Sequence, residues 1–267
     1  MNQGLYQRLV ETIKPLQRVA LAFSGGIDSS LLLAASLRAL GPANVLALTV
    51  DSPLMTAHDR RNAELVAEQL GVAVCWMPFN ELALEDVARN DAQRCYACKH
   101  ARFSALRELA AAEGAVLIHG ENTDDALDYR PGSRAAMELG VRAPLVEAGL
   151  KKASIRALAQ SLNLPNWDAP AGACLATRFL TNTPLTAEGL LRVGHAEEAL
   201  RGLLDKRQFR LRDHGDLARL EVTAAEVGWV ASEPQRSQIT VLLRELGYRY
   251  ITLDLEGYRM GSSNEQV

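Results

Sequence analysis

Val19-Ala20-Leu21-Ala22-Phe23-Ser24-Gly25-Gly26-Ile27-Asp28-Ser29-Ser30-Leu31-Leu32-Leu33 is the stretch whose reading decides the fold. Val19 to Phe23 is an unbroken apolar run, the pattern of a strand buried on both faces. Ser24-Gly25-Gly26 follows with no linker, and Ile27-Asp28-Ser29-Ser30 opens a leucine-rich helical pattern. Adjacent glycines let backbone N–H groups approach a ligand where a Cβ would intrude. A helix start leaves further N–H groups unpaired at the positive end of the macrodipole. Together they make a cradle for an anion, most naturally phosphate. The plainer alternative is a junction in which serine and aspartate only cap the helix.

The loop is neither of two familiar phosphate motifs. No lysine follows its second glycine, as a Walker A loop requires. Its glycines are adjacent, where the dinucleotide fingerprint spaces three of them.

Outward from the loop, the chain of 267 residues is long enough for two modest domains. Its 48% apolar and 23% charged residues are ordinary for a globular protein. A formal charge of −3 argues against a general nucleic-acid binder. No apolar run reaches membrane-spanning length, and Met1-Asn2-Gln3-Gly4 lacks a signal-peptide core, so a cytoplasmic protein is expected. There its four cysteines stay reduced, which favours metal binding or chemistry over disulfides.

Leu5 to Leu16 has helical spacing; Val45 to Val50, Val72 to Met77 and Ala115 to His119 read as strands. Between them, helices are expected at Asp59 to Leu70, Leu82 to Ala88 and His100 to Glu113, with a polar cysteine-bearing loop before the last. Strands alternating with helices predict an α/β domain with a parallel sheet. Its ligands sit beyond the strands' carboxyl ends, where Ser24-Gly25-Gly26 lies. Gly120-Glu121-Asn122-Thr123-Asp124-Asp125 leaves the last of these strands, and its carboxylates suit Mg²⁺ bridging ATP phosphates, or Thr123 or Asp124 caps the next helix.

Pro144 to Glu147 reads as a short strand or turn and Lys151 to Leu162 as a helix. The rest suggests a smaller α+β domain: a helical Pro184 to Lys206, a hairpin turning at His214-Gly215-Asp216, helices over Ala224 to Val230 and Glu233 to Leu246, a strand from Tyr250, and a polar, frayed tail from Gly261. We expect domains at 1–177 and 178–267.

Cys95-Tyr96-Ala97-Cys98 is a single C-x-x-C, open to redox, zinc or cluster readings. Cys174 lies among Pro170, Ala171 and Gly172, with Arg178 four residues on; a thiolate near guanidinium is stabilised. Cys75, inside the third apolar strand, reads as a small buried hydrophobe. Three thiolates can hold a cubane iron–sulfur cluster and leave one iron open.

Ser-Gly-Gly-Ile-Asp-Ser at 24–29 resembles the signature loop of the ATP pyrophosphatases, the PP-loop family. With Asp51-Ser52-Pro53, Arg94 to Lys99, Gly120 to Asp125, Asp128-Tyr129-Arg130-Pro131-Gly132, Ala173 to Arg178 and Leu253 to Arg259, the chain resembles the LarE-type ATP-dependent sulfur transferases almost end to end. That resemblance implies adenylylation of a pyridinium-3,5-biscarboxylic acid mononucleotide and conversion of each carboxylate to a thiocarboxylate, the route to a nickel-pincer nucleotide. It implies ATP and Mg²⁺ at Ser24, Gly25, Gly26, Asp28, Ser29, Thr49, Gly120 and Asp124. Arg178, Arg210, Arg212 and Glu221 are the expected substrate-binding residues, with Asp254 beside them; arginine's planar fork suits the substrate phosphate.

Cys174 matches the family's sulfur-donating cysteine, which in a sacrificial branch is left as dehydroalanine. In a second branch three cysteines bind a [4Fe-4S] cluster carrying an extra sulfide; Cys95 and Cys98 favour this branch, with Cys95, Cys98 and Cys174 as ligands. A homo-oligomer acting on a small nucleotide, without nucleic acid or membrane, is expected. A tRNA thiolase, an amide-forming synthetase and a non-catalytic nucleotide sensor are the alternatives.

Overall fold

The computed structural model describes residues 2–126, 131–169, 172–205 and 207–259. Asp128 to Arg130, Pro170 with Ala171, Lys206 and the tail from Gly261 lie outside them. The chain divides into two compact units: Met1–Ser52, His58–Phe79 and Cys95–Gly172 in one, and Pro53–Ala57, Asn80–Arg94 and Ala173–Val267 in the other.

The first unit is built on four parallel strands, β1 (Val19–Ala22), β2 (Val45–Asp51), β3 (Val74–Pro78) and β4 (Val116–His119), in the order β3-β2-β1-β4. The longer helices are α1 (Asn2–Ile13), α2 (Ile27–Leu40), α3 (Ala57–Gln69), α4 (Arg94–Ala112), α5 (Pro131–Glu138) and α6 (Lys152–Ser161). Strand alternation sends Val19, Leu21 and Ile118 into a core with Leu9 and Ile13 of α1, Leu31 to Leu33 of α2 and Ile155 of α6. Ala20, Leu48 and Leu117 point the other way, against Phe103 and Leu106 of α4 and Ala136 of α5. Both sheet faces are therefore covered, which is why the strands read as continuous apolar runs. Leu9, Leu21, Leu31 and Ile118 are fully buried, and each such side chain contributes roughly 1.5–3 kcal/mol. From β1 the sheet grows to β2 on one side and β4 on the other. The loops after β1 and β4 thus flank the crevice where such sheets hold ligands.

The second unit contains α7 (Ala187–Leu204), β5 (Phe209–His214), β6 (Leu217–Val222), α8 (Gln235–Glu245) and β7 (Tyr250–Leu253). β5 and β6 form the expected antiparallel hairpin, turning at Gly215 with φ +74°, and β7 lies parallel to β6. Leu190, Val193, Leu200 and Leu204 of α7 are buried, as are Leu211, Leu220, Ile239 and Leu243.

Three local expectations change. Cys95 and Cys98 are in the first turns of α4 rather than in a loop. Pro144–Glu147 is a helical turn, for which Pro144 at the first position supplies a preset φ; only Arg142 beside it makes a strand-like bridge, to Ile118. Cys75 is exposed, because β3 is the edge strand of the sheet and is not covered as the central strands are.

Candidate functional site

The strand-to-helix loop is folded by its own serines. Ser29 Oγ donates to the Gly26 carbonyl at 2.9 Å and lies 3.1 Å from Ser24 Oγ. Ser30 Oγ also donates to Gly26, at 2.9 Å, and Thr49, buried at the end of β2, donates to the Phe23 carbonyl at 2.8 Å. The N-cap of α2 is Gly26, and no side chain caps it. The helix therefore starts with its positive end open to an incoming anion, contrary to the capped-junction alternative.

The two glycines have different duties. Gly25 has φ +73°, and a Cβ there would sit 2.7 Å from the Ala63 nitrogen and 2.8 Å from the Asp59 carbonyl oxygen in α3. At Gly26 a Cβ would meet only Ser24 Oγ, at 3.3 Å. Gly120 at the end of β4 has a packing duty of its own, since a Cβ would come within 2.9 Å of the Ser29 nitrogen.

Acidic groups gather beside this loop. Asn122, buried, caps the short helix Thr123–Ala126: its Oδ1 accepts from the Asp124 and Asp125 N–H groups at 2.9 and 3.1 Å. Neither Thr123 nor Asp124 is needed for capping. Asp124 instead accepts the Lys152 backbone N–H at 2.8 Å, while the Lys152 ammonium pairs with Asp28. One residue at the start of α6 thus joins both predicted carboxylates. Burial pushes the Asp28 carboxyl above its ordinary range; Lys152 draws it back and Asp125 adds to the rise. Asp28 Oδ1 is buried and has no hydrogen-bond partner. An orphaned carboxylate oxygen beside a phosphate cradle fits a hard divalent cation such as Mg²⁺.

His119, at the end of β4, is buried edge-to-face with Phe103, their ring centroids 5.3 Å apart, and its Nε2 lies 3.4 Å from Glu121. Burial, helped by Lys99, pushes its pKa down to about 4, so it is neutral at pH 7.

Cys95 and Cys98 lie one helical turn apart on α4 and so share a face. Between them Tyr96 donates to Glu138 of α5 at 2.5 Å, and Arg134 covers its ring at 4.0 Å. Among the described residues no three His, Cys, Asp or Glu side chains group as a metal site.

The second unit carries Cys174 and the predicted arginines. Cys174 precedes a 3₁₀ turn, Leu175–Arg178, whose first N–H donates to the Leu54 carbonyl at 2.9 Å. Arg178, 3% exposed, turns back over this loop: Nη1 donates to the carbonyls of Ala173 and Cys174 at 2.8 and 3.2 Å and to Thr177 Oγ1 at 2.9 Å. Its Nε and Nη2 form a fork onto Glu197 of α7, both at 2.8 Å. Burial works to raise the Glu197 carboxyl, but Arg178, the Leu211 N–H and Arg210 hold it below its ordinary range. Arg210 and Arg212 share a face of β5, and neither is solvated. Arg212 makes a second fork, onto Glu221 of β6 at 2.9 and 2.7 Å, and donates to the Thr177 carbonyl at 2.6 Å. Burial and the adjacent Arg178 lower the pKa of Arg210, which lies 5.3 Å from the Tyr258 ring. Asp254 joins Arg219 at 3.6 Å, and Arg219 joins Glu221 at 3.0 Å. A concentrated, partly compensated positive charge therefore adjoins the cysteine loop.

The pyridinium-3,5-bisthiocarboxylic acid mononucleotide synthase of Lactiplantibacillus plantarum is 39% identical over 260 residues, 97% of this chain and 93% of its own. The chain belongs to the LarE-type ATP-dependent sulfur transferases. A LarE-type enzyme is an ATP pyrophosphatase-type sulfurtransferase of the PP-loop class, which the open helix start and flanking carboxylates suit. An uncharacterised protein of Synechocystis sp. is similar along its whole length, 37% identical over 265 residues, 99% of this chain and 98% of its own. Residues 3–127 also match the NAD synthase family. An NH3-dependent NAD(+) synthetase of Chlorobaculum tepidum is 31% identical over 113 residues, 41% of each chain. The NAD synthase match ends before Cys174, Arg178 and β5.

Lys152 and Glu197 were not anticipated for this LarE-type chain. Glu197 had a signal: it falls on the same apolar stripe as Leu190, Val193, Leu200 and Leu204, where a charge needs a buried partner. Lys152 lies 124 residues from its partner Asp28, beyond any local pattern.

Proposed function

We propose that this chain adenylylates the carboxylates of pyridinium-3,5-biscarboxylic acid mononucleotide and converts them to thiocarboxylates. A substrate carboxylate oxygen attacks the α-phosphorus of ATP and pyrophosphate leaves. A sulfur nucleophile then attacks the acyl carbon and AMP leaves. The N–H groups at the start of α2, with Ser24 to Ser29, bind the departing pyrophosphate; Asp28 and Asp124 would hold Mg²⁺, which would offset phosphate charge; and Thr49 and Gly120 shape the cradle. Arg178, Arg210 and Arg212, with Glu221 orienting the last, supply the positive field for the mononucleotide phosphate.

The observation that carries the sulfur step is the grip of Arg178 on the Cys174 loop. It fixes the backbone from which the Cys174 side chain projects, through the bonds from Arg178 to the carbonyls of Ala173 and Cys174. Cys95 and Cys98, a turn apart, would with Cys174 hold a [4Fe-4S] cluster. Such a cluster would supply the sulfide for transfer, and Cys174 would then serve as a ligand and keep its sulfur. The test is anaerobic purification with iron and acid-labile sulfide analysis, then mass spectrometry after turnover. Iron, sulfide and an intact Cys174, with activity lost in Cys95→Ala, are expected. Dehydroalanine at Cys174 overturns the cluster route, and absence of pyrophosphate release with this substrate overturns the function.

A further inference from the structure

Asn166, in the segment after α6, is 4% exposed. Its Nδ2 donates to the Gly25 carbonyl at 2.7 Å and to Ser30 Oγ at 2.9 Å. Because the Ser30 hydroxyl donates its own proton to Gly26, it must accept from Asn166, which fixes the amide's orientation. The other end of the amide is left wanting: Oδ1 is buried without a hydrogen-bond partner. A buried, unpaired acceptor is unfavourable, so the orientation is retained for what the nitrogen does. The segment is braced from behind. Arg156 of α6 donates to the carbonyls of Trp167 and Ala169 at 3.1 and 3.2 Å, and the Ala169 N–H donates to the Asn166 carbonyl at 3.1 Å.

The bond to Gly25 acts on the most easily turned peptide of the loop. A peptide between two glycines meets little steric resistance to rotation. Its C=O and N–H point in opposite directions from one rigid plane. With the Gly25 carbonyl held by Asn166, the Gly26 N–H is turned to the Ser24 side of the loop, 3.3 Å from Ser24 Oγ. The flipped peptide would aim a carbonyl oxygen at the place where phosphate oxygens must sit.

We propose that Asn166 is a positioning residue for the nucleotide: it locks the Gly25–Gly26 peptide with its N–H toward the anion. This rests on the reading of the loop as the ATP phosphate site. Asn166 itself touches no substrate; it sets the sign of the cradle.

The experiment compares ATP affinity, kcat and KM by calorimetry and pyrophosphate release in the full chain. Asn166→Asp keeps the shape but puts an acceptor against the Gly25 carbonyl. At pH 8 its Kd and KM for ATP should rise roughly tenfold or more, with a smaller change in kcat and in KM for the carboxylate substrate. As the pH falls the variant carboxyl takes up a proton and regains one O–H donor, so its ATP affinity should recover toward wild type. Asn166→Ala should show no such recovery. Asp28, an ionisable carboxyl, and the basic side chains of Lys152 and Arg156 are common to all three proteins, so each profile is read as a ratio to wild type. Wild-type ATP affinity in folded Asn166→Asp at pH 8, or no recovery at low pH, overturns the proposal while leaving the nucleotide reading standing. A wild-type chain that binds no ATP overturns both. Should Asn166→Asp not fold, Asn166→Ser, too short to reach Gly25, must show the same loss at pH 8; unchanged affinity there overturns the proposal.

Discussion

Replacing Gly25 by alanine separates packing from ligand approach. At φ +73° any side chain is strained, and the new Cβ would press on backbone atoms of α3 at 2.7 and 2.8 Å. Neither neighbour can swing aside, because both belong to a helix main chain. The strain in the left-handed region is about 1–2 kcal/mol, and forced overpacking adds roughly 1–3 kcal/mol. Gly25→Ala should therefore destabilise the protein by about 2–5 kcal/mol, a large part of a typical domain's 5–15 kcal/mol. Gly71→Ala is the control: it has φ +68° with nothing within 4 Å of the added Cβ, so it should lose only about 1–2 kcal/mol. Urea denaturation followed by circular dichroism measures both. If Gly25→Ala loses no more than Gly71→Ala, the packing argument is refuted. Gly26→Ala, which meets only Ser24 Oγ, should leave stability nearly unchanged while weakening ATP.

Two further outcomes follow from buried charge. His119 has a folded pKa of about 4 against about 6.5 unfolded, so the unfolded chain binds the extra proton; the associated stability is complete above pH 6.5 and is lost as pH falls toward 4. The full effect is about 3 kcal/mol, and urea midpoints from pH 4.5 to 7.5 should show a slope that His119→Gln lacks; parallel slopes would refute it. Arg178→Met leaves Glu197 buried without its fork and should cost about 3–5 kcal/mol. The double variant Arg178→Met with Glu197→Met should regain most of that stability but not sulfur transfer; a double variant with normal turnover would show that the clamp has no part in the reaction.

The nucleotide-binding half was legible because its signals are local. Apolar runs gave the parallel strands, and the glycines marked the one sharp turn from β1 to α2. Where sequence reading fell short, the cause was placement in space. Cys75 looked like core because an edge strand carries the same apolar run as a central one. The C-x-x-C reads as loop because its cysteines and polar flanks hide a run of helix-compatible residues from Arg94 onward. Arg210 and Arg212 were legible as a pair by strand alternation, but their burial and the Arg212–Glu221 fork depend on β6. Asn166 gave no signal at all: beside Pro165, an asparagine reads as an ordinary turn residue.

The hold of Arg178 on the cysteine loop is directed at carbonyl oxygens of Ala173 and Cys174, not at sulfur. The loop's architecture is therefore indifferent to the state of the side chain it displays. A thiol that is free, alkylated or bound to iron sits on the same bonded frame, and so does a residue stripped of its sulfur. Loss of the sulfur atom would therefore remove none of the Arg178 hydrogen bonds that hold this loop.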